Sequence, residues 1–348
     1  MYRVPTPQGQ TSAAGSSQSA ERARRRRGRL AYGVGCVSRA LPVEEEIMKF
    51  LQLFGRLKSV VIGMVHVKAL PGTPGSMLPL AQITEDACRE AEIYRAAGVD
   101  GVIIENMHDR PYTVGVGPEI TAAMSVLCAS VKQACPRLPL GVQILCAANS
   151  PAVAVALASG LDFIRAEGFV FSHVADEGMV DACAGDLLRY RKQIGAEHVQ
   201  VFADIKKKHS AHALTADVGV AETAKAAEFF LADGVVLTGT ATGVEADPEE
   251  LQEVGRAVKI PVLVGSGVTL ENVKDYLGAN ALIVGSYFKK GGYWVNDLDP
   301  DRVKRFMDHI DLTLCFKSRC STEVIFQAIK ILPRSVVAYD EHCLSEIP

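Results

Sequence analysis

The chain has 348 residues, of which 48% are hydrophobic and 22% are charged, and its net charge is −3. This profile is typical of a globular protein with one large domain or two, and the weak net charge gives no overall field for nucleic acid, so no nucleic-acid partner is expected. The nine cysteines show no Cys-x-x-Cys pair and no zinc-type spacing, which predicts a reducing compartment. No apolar stretch approaches the ~20 residues that cross a bilayer, so no transmembrane segment is expected.

Residues 1–47 are predicted to form a disordered N-terminal extension outside the folded domain. Residues 8–20 are rich in Ser, Gly, Gln and Ala, six arginines lie within residues 22–29, and one acidic residue precedes Glu44. An arginine-rich and acid-poor N-terminus is typical of an organelle transit peptide, which predicts a mitochondrial protein. Two alternatives remain: translation could start at Met48, giving a cytoplasmic protein, or the arginines could form a nucleic-acid or nuclear-import patch.

Residues 48–310 show apolar runs that alternate with helix signals. The runs are short and rich in Val and Ile, as buried parallel strands are. They lie at residues 60–66, 101–106, 140–145, 163–167, 199–205, 234–238, 261–265 and 281–285. Eight such units over roughly 250 residues predict a (β/α)8 TIM barrel of the α/β class. The rival fold, a doubly wound open sheet, would normally carry a glycine-rich loop after its first strand.

Residues 311–348 break this alternation and are predicted to form an atypical tail. The segment 315–320 reads Cys-Phe-Lys-Ser-Arg-Cys, and a weak helical pattern follows at residues 322–331. Neither segment has an assignable place in a barrel. If this tail replaces the last barrel helix, it bears directly on the stability of the domain.

The last two predicted strands are each followed by glycine and serine. Residues 264–269 read Val-Gly-Ser-Gly-Val-Thr, with Thr269 expected to precede a helix, and residues 283–286 read Ile-Val-Gly-Ser. Glycine lets backbone N–H groups approach an anion closely, and barrels usually bind phosphate in the loops after strands 7 and 8. We therefore expect a phosphorylated small-molecule substrate. The expected binding residues are Gly265, Ser266, Gly267, Gly285 and Ser286, with Asn106, Arg165, Thr238 and Gly239 at neighbouring strand ends.

Ionisable residues follow several predicted strands, at the end of a barrel where active sites form. The candidate catalytic residues are His66, Glu105, Asp204, Lys206, Lys208 and His209. Alternation along the fifth strand places Asp204 and Lys206 on its inward face, where a carboxylate and an ammonium can polarise each other and transfer protons. Glu105 lies inward if Ile104 packs outward, and is then a candidate general base. Lys207 is expected to be a solvated charge.

A divalent metal is an open alternative at this end of the barrel. Carboxylates and imidazoles suit such metals, and His66, Glu105, Asp204 and His209 could supply them. The sequence contains no compact ligand motif. No cofactor is therefore assigned.

Several of these motifs, in this order, resemble those of the BtpA family. They are residues 61–66 with 69–75, 101–106, 163–165, 202–204 with 208–209, 236–239 with 241–243, and 264–269. The resemblance runs from about Leu57 to Ile310 and implies a TIM barrel related to the ribulose-phosphate-binding barrels. The family is named for a factor needed to accumulate photosystem I in cyanobacteria, and the resemblance implies no particular reaction. The chain departs from the common bacterial pattern at residues 166–168, which read Ala-Glu-Gly where Val-Asn is usual.

Two functions follow from these observations. The first is an enzyme of isomerase, lyase or nucleosidase type that acts on a phosphorylated metabolite, such as a sugar phosphate or a nucleotide-like compound. The alternative, which the family name motivates, is a non-catalytic assembly or stability factor for a protein complex. The ionisable strand ends favour the enzyme, because a scaffold has no need of buried charges there. A homo-oligomer is compatible with both functions.

Overall fold

The structure is a computed structural model that describes the backbone of residues 42–320 and the side chains of residues 45–314. Residues 1–41 of the proposed transit peptide and the helical pattern at residues 322–331 lie outside the described residues. The first described helix, α1 (Pro42–Phe54), begins six residues before the domain boundary expected at Met48. Phe50 and Phe54 of this helix are buried against rings inside the barrel. Because these contacts anchor α1, residues 42–47 are part of a helix of the domain.

Eight parallel strands close into a barrel in sequence order, which confirms the predicted TIM-barrel fold. In chain order, the barrel strands are β1 (Val60–His66), β2 (Gly101–Glu105), β3 (Leu140–Gln143), β4 (Phe163–Ala166), β7 (Gln200–Ile205), β9 (Gly234–Leu237), β10 (Val262–Val264) and β11 (Ala281–Val284). Three further strands, β5 (His173–Ala175), β6 (Gly178–Val180) and β8 (Ser210–Ala211), form a small antiparallel sheet. This sheet comes from the loops that follow β4 and β7, so it stands at the carboxyl end of the barrel.

Seven more helices follow α1 in the described chain. They are α2 (Leu80–Ala96), α3 (Pro118–Ala134), α4 (Asn149–Ser159), α5 (Ala184–Gln193), α6 (Val220–Phe229), α7 (Pro248–Ala257) and α8 (Pro300–Cys320). Asp247 caps α7, because its carboxylate accepts a hydrogen bond from the Glu249 N–H at 2.8 Å. Among the described residues, no helix is both long and apolar enough to cross a membrane.

Two helix expectations near the C-terminus were wrong. Thr269 does not lead directly into a helix, because its N–H donates to the Asn272 side chain and the following turn is a short 3-10 helix, Val273–Tyr276. At the other boundary, α8 runs ten residues beyond Ile310, through Cys320. The last barrel helix is therefore formed in part by the segment expected to be a tail.

Side-chain alternation divides the buried residues into two layers. Val61, Val65 and similar residues pack between the strands and the surrounding helices. Phe163 and Phe202 face the barrel interior, where their ring centroids lie 5.3 Å apart and α1 covers them. Burying a side chain of this size contributes about 1.5–3 kcal/mol.

The same two-residue period carries polar groups to the open end of the barrel. Arg165 follows Phe163 by two residues, and Asp204 follows Phe202 in the same way. Successive residues of a strand alternate between its faces, so both polar side chains continue the inward row. The barrel is thus apolar at its closed end and charged where its strands end.

Candidate functional site

The two glycine–serine runs that follow β10 and β11 line a single cavity at the carboxyl end of the barrel. Its volume is about 40 Å³, about three times what a single water needs. Gly265, Ser266, Gly267, Gly285 and Ser286 all contribute to its wall. The remaining wall includes ionisable side chains from the other strand ends: His66, Glu105, Arg165 and Lys208.

Glycine is required in the loop after β10 for two reasons. Gly267 has a φ of +63°, and a Cβ at this position would overlap the backbone of Glu245. A Cβ on Gly265 would lie 2.9 Å from the Val236 side chain and 3.6 Å from Nη2 of Arg165. The loop backbone therefore passes close over the buried guanidinium, and this positive charge favours an anion in the cavity.

His66 and Glu105 are the final residues of β1 and β2, and they are directly paired in the parallel ladder. Nε2 of His66 lies 3.8 Å from Oε2 of Glu105. Nδ1 of His66 is 3.0 Å from the carbonyl oxygen of Trp294. Because a carbonyl only accepts hydrogen bonds, Nδ1 carries the proton, and Nε2 presents a lone pair towards Glu105.

Burial pushes the pKa values of this pair in opposite directions. The pKa of His66 is held well below its ordinary value, first by burial and then by the charge of Lys289. Burial also raises the pKa of Glu105, although the nearby Lys208 opposes the shift. A neutral imidazole thus lies beside a carboxyl group that retains its proton to a higher pH than usual. Such a pair can donate a proton from the carboxyl group and accept one on the imidazole.

Lys208 completes the ionisable group around the cavity. Its side chain is half-buried, and burial together with the charge of Arg165 lowers the pKa of its ammonium. The positive charges of Lys208 and Arg165 face two carboxylates, Glu105 and Asp204. The cavity therefore contains positive side chains that can bind an anion, and beside them groups that can exchange protons.

The predicted Asp204–Lys206 pair was wrong. Asp204 is bound by Arg165, whose Nε and Nη2 donate to its two carboxylate oxygens at 2.8 and 3.1 Å. Lys206 turns away and donates to the Thr215 carbonyl at 2.9 Å. The alternation breaks at this point because Lys206 has a φ of +47° and the strand has already ended at Ile205.

Lys207 is a buried residue rather than the solvated charge that was expected. It is 6% exposed, and its Nζ lies 3.1 Å from Oε1 of Glu167. The other oxygen of Glu167 accepts a hydrogen bond from the Ala147 N–H at 2.9 Å. The sequence did not reveal this pair, since it depends on the backbone turn at Lys206.

Three of the expected binding residues do not line the phosphate-loop cavity. Asn106 uses its side-chain amide to hold the neighbouring loop, donating to Asp109 at 2.9 Å and accepting from the Leu145 N–H at 2.7 Å. Thr238 is buried, and Gly239 is packed so tightly that a Cβ would overlap the Val244 carbonyl. These residues shape the loops around the site.

His209 is exposed and does not line the phosphate-loop cavity. Its Nε2 accepts a hydrogen bond from the Thr242 N–H at 3.2 Å. Within residues 45–314, no group of three or more His, Cys, Asp and Glu side chains is placed to hold a metal ion. The four residues considered for a metal are therefore not brought together, because Asp204 is bound to Arg165 and His209 to Thr242.

A second and larger cavity of about 410 Å³ adjoins the first, and sequence reasoning did not anticipate it. Its wall includes Gln143 at the end of β3, Glu177 in the β5–β6 hairpin, and Tyr112 and Trp294 in loops. Trp294 is the chain's single tryptophan, and its place shortly after the last predicted strand was the available signal.

A closed parallel barrel with charged strand ends and paired glycine–serine loops defines an α/β barrel of the TIM type. The chain belongs to the BtpA family, whose model matches residues 57–311. A protein of Caenorhabditis elegans named as mitochondrial is 50% identical over 265 residues, covering 75% of this chain and 96% of that protein. The photosystem I biogenesis protein BtpA of Synechocystis is 33% identical over 267 residues, covering 76% and 92% of the two chains.

Solved structures align with much of this chain at low sequence identity. A thiamine phosphate pyrophosphorylase from Pyrococcus furiosus is 14% identical with a TM-score of 0.47, covering 74% of this chain and 96% of its own. An orotidine 5′-monophosphate decarboxylase from Methanocaldococcus jannaschii is also 14% identical, with a TM-score of 0.48 and coverages of 73% and 99%.

Proposed function

We propose that this protein is an enzyme that acts on a phosphorylated small metabolite. The phosphate is held by the loops after β10 and β11, and protons are transferred by His66, Glu105 and Lys208. One observation carries the proposal: a single cavity is lined by both glycine–serine loops and by these three ionisable side chains. A substrate anchored by its phosphate would thus present its reacting carbon to groups that exchange protons.

The cost of burying charge supports catalysis over a purely structural role. Glu105 and Arg165 at the cavity wall, and Asp204 bound to Arg165, are each at most 6% exposed. Charged groups are rarely buried without a specific reason, because each loses its hydration. Arg165 and Asp204 form an ion pair, whereas Oε2 of Glu105 lies 3.8 Å from Nε2 of the neutral His66 imidazole, and Glu105 has no other ion-pair contact among the described residues. A weakly compensated carboxyl group in a cavity is typical of catalytic sites.

The reaction classes that fit are isomerase, lyase and nucleosidase chemistry, since each moves a proton at a carbon or leaving group near the phosphate. Nε2 of His66 serves as the base, because its lone pair faces the cavity. Glu105 serves as the acid, and Lys208 stabilises negative charge that develops on the substrate. General acid–base catalysis by a positioned side chain contributes about 10²–10⁴-fold to the rate.

Binding of phosphate compounds tests the first half of the proposal. The full chain is screened by thermal shift against inorganic phosphate, sugar phosphates and nucleoside monophosphates, with and without Mg²⁺ or Zn²⁺. A ligand that binds only the folded protein raises the Tm by mass action. The matched variants Ser266→Asp and Ser266→Asn add similar bulk to the loop, but only aspartate adds a negative charge. Loss of the shift in the aspartate variant alone places the phosphate at this loop, and no shift with any compound contradicts the proposal.

Turnover tests the second half. With a ligand from the screen, Glu105→Gln is expected to keep the thermal shift and to lower the rate of conversion, followed by phosphorus NMR, about 100-fold or more. Lys206→Met is the control, because Lys206 points to Thr215 and not to the cavity. Equal rates in wild type and Glu105→Gln would exclude Glu105 as the acid.

Assembly of a protein complex is a second candidate function, and one surface feature favours it. Phe229, Phe230 and Leu231 at the end of α6 are 79%, 48% and 67% exposed. A contiguous exposed apolar group is typical of protein-interaction sites, and a relative of this chain is named as a biogenesis protein. In cells that depend on this protein, the assembly function predicts that Phe229→Glu abolishes rescue and Glu105→Gln preserves it. The enzyme function predicts the reverse.

A mitochondrial location is also proposed, from the arginine-rich composition of residues 22–29 and the name of the Caenorhabditis elegans relative. Fusing residues 1–47 to a fluorescent protein is expected to direct it to mitochondria, and a chain that starts at Met48 is expected to stay in the cytosol. Cytosolic fluorescence from the first fusion would exclude this proposal.

A further inference from the structure

The larger cavity is continuous with the phosphate-loop cavity at the ionisable groups. Both are lined by Glu105, Met107, Lys208 and Thr242. A substrate held by its phosphate at the glycine–serine loops therefore extends past Glu105 and Lys208 into a chamber of about 410 Å³. The size and chemistry of this chamber, named here the second chamber, indicate what the rest of the substrate is.

Two buried acceptor atoms, on residues that line the second chamber, have no donor among the described residues. Gln143 is 2% exposed, and its Oε1 has no hydrogen-bond partner among the described residues. Oε2 of Glu177, in the hairpin between β5 and β6, is also buried without a partner. Buried polar atoms in proteins are nearly always hydrogen-bonded. Because both atoms belong to residues that line the same chamber, they indicate a ligand that donates at least two hydrogen bonds there.

Apolar and aromatic side chains form one part of the remaining chamber wall, and charged side chains, including Arg110, Glu167 and Lys207, form the other part. Met107 and Leu145 belong to a small buried cluster, and Tyr112 and Trp294 pack against it. Arg110 lies 5.0 Å from the centre of the Trp294 ring, which holds this tryptophan in place. A polyol would leave this apolar surface without a matching partner, whereas a flat ring with N–H groups at its edge matches both the wall and the acceptors.

We infer that the second chamber binds a heterocyclic base that carries N–H donors, so that the substrate is a nucleoside monophosphate or a close analogue. Gln143 and Glu177 accept hydrogen bonds from the ring edge, and the ring lies against the apolar wall. This inference rests on the proposed function for the phosphate half of the substrate. It selects the nucleotide-like class over simple sugar phosphates.

Calorimetric titration of the full chain tests the inference with defined probes. These are inorganic phosphate, ribose 5-phosphate, guanosine and the 5′-monophosphates of guanosine, adenosine and cytidine, whose bases all carry an amino group. At least one nucleotide is expected to bind about tenfold more tightly than ribose 5-phosphate, as hydrogen bonds to buried acceptors should give. Glu177→Gln is expected to reduce that advantage and leave ribose 5-phosphate binding unchanged. Asp181→Asn is the control, because this exposed carboxylate follows the same hairpin and does not line the chamber.

The outcomes separate this inference from the proposed function. Equal affinity for ribose 5-phosphate and every nucleotide would overturn the base chamber and leave the phosphate site standing. Guanosine that binds as tightly as its monophosphate would support the chamber and contradict the phosphate site. If no probe binds, both are overturned. An equal loss of nucleotide affinity in Glu177→Gln and Asp181→Asn would count against a specific contact with Glu177.

Discussion

The ion pair between Arg165 and Asp204 is the structure's clearest departure from the pairing expected from strand alternation, and replacing Asp204 tests it. Asp204→Asn keeps the shape of the side chain but removes its charge and turns one carboxylate oxygen into a donor. In the wild type, the Arg165 guanidinium donates hydrogen bonds of 2.8 and 3.1 Å to the two carboxylate oxygens. In the variant, the new amide donor faces one of these guanidinium N–H groups, and that hydrogen bond is lost. Arg165 is 4% exposed, so few water molecules can reach the unpaired guanidinium.

The size of the effect follows from this burial. Breaking a buried ion pair by removing one partner costs about 3–5 kcal/mol. Glu105 and Glu167 also raise the pKa of Arg165, so part of its charge stays compensated and the lower figure of about 3 kcal/mol applies. At about 2–4 °C per kcal/mol, the Tm of Asp204→Asn should fall by about 6–12 °C.

Thermal unfolding of three variants tests whether Asp204 pairs with Arg165 rather than with Lys206. Lys206→Met removes only the hydrogen bonds to Thr215, worth about 1 kcal/mol, so its Tm should fall by about 2–4 °C. The double variant Arg165→Met/Asp204→Leu replaces both charges with apolar groups and should unfold near the wild-type temperature. Equal losses in Asp204→Asn and Lys206→Met, or a double variant as unstable as Asp204→Asn, would refute the pairing.

Further predictions concern the charge of Glu105 and the phosphate loop. Burial raises the pKa of Glu105 above its ordinary value of 4.5, so the folded state loses stability as the pH rises through the folded-state pKa. Glu105→Gln should therefore unfold at a higher temperature than wild type at about pH 8, with the gain vanishing near about pH 4, and a constant difference would contradict this. Gly267→Ala should displace the loop and abolish phosphate binding in titrations, because its φ is +63° and a Cβ would overlap Glu245. Gly255→Ala, in open space on α7, should instead raise stability by about 0.5–1 kcal/mol in urea unfolding.

The barrel strands were predictable because their signal is local. A strand buried on both faces is a short apolar run, and the predicted runs begin within one residue of the observed strands. The ends were less accurate: the run predicted to reach Leu145 stops at Gln143, and the run predicted to reach Glu167 stops at Ala166. A strand ends where its neighbour diverges, and that depends on a second segment of chain.

The candidate site was partly predictable for the same reason. Barrel topology brings the carboxyl ends of parallel strands to one rim, so Gly265 and Gly285 were expected to meet, and they line one cavity. Helix α1 begins at Pro42, six residues before the domain boundary expected at Met48, and Phe50 and Phe54 anchor it beneath the barrel. The contacts of Phe50 with Phe202 and of Phe54 with Phe163 join residues more than a hundred positions apart. The local sequence gives no signal of them.

The sequence does not predict which charged side chains pair with each other at the carboxyl end of the barrel. The order of apolar runs and glycines predicts which strands form and where an anion can approach. Both properties depend on residues that are adjacent in the sequence. Which charge pairs with which depends on the left-handed turn at Lys206, a conformation that a lysine rarely adopts and that its own residue type does not signal. That turn sends Lys206 to Thr215 and Lys207 into the barrel with Glu167, and leaves Asp204 to Arg165, 39 residues away. Burial then sets the protonation of His66 and Glu105, because desolvation arises only when every strand of the barrel is in place.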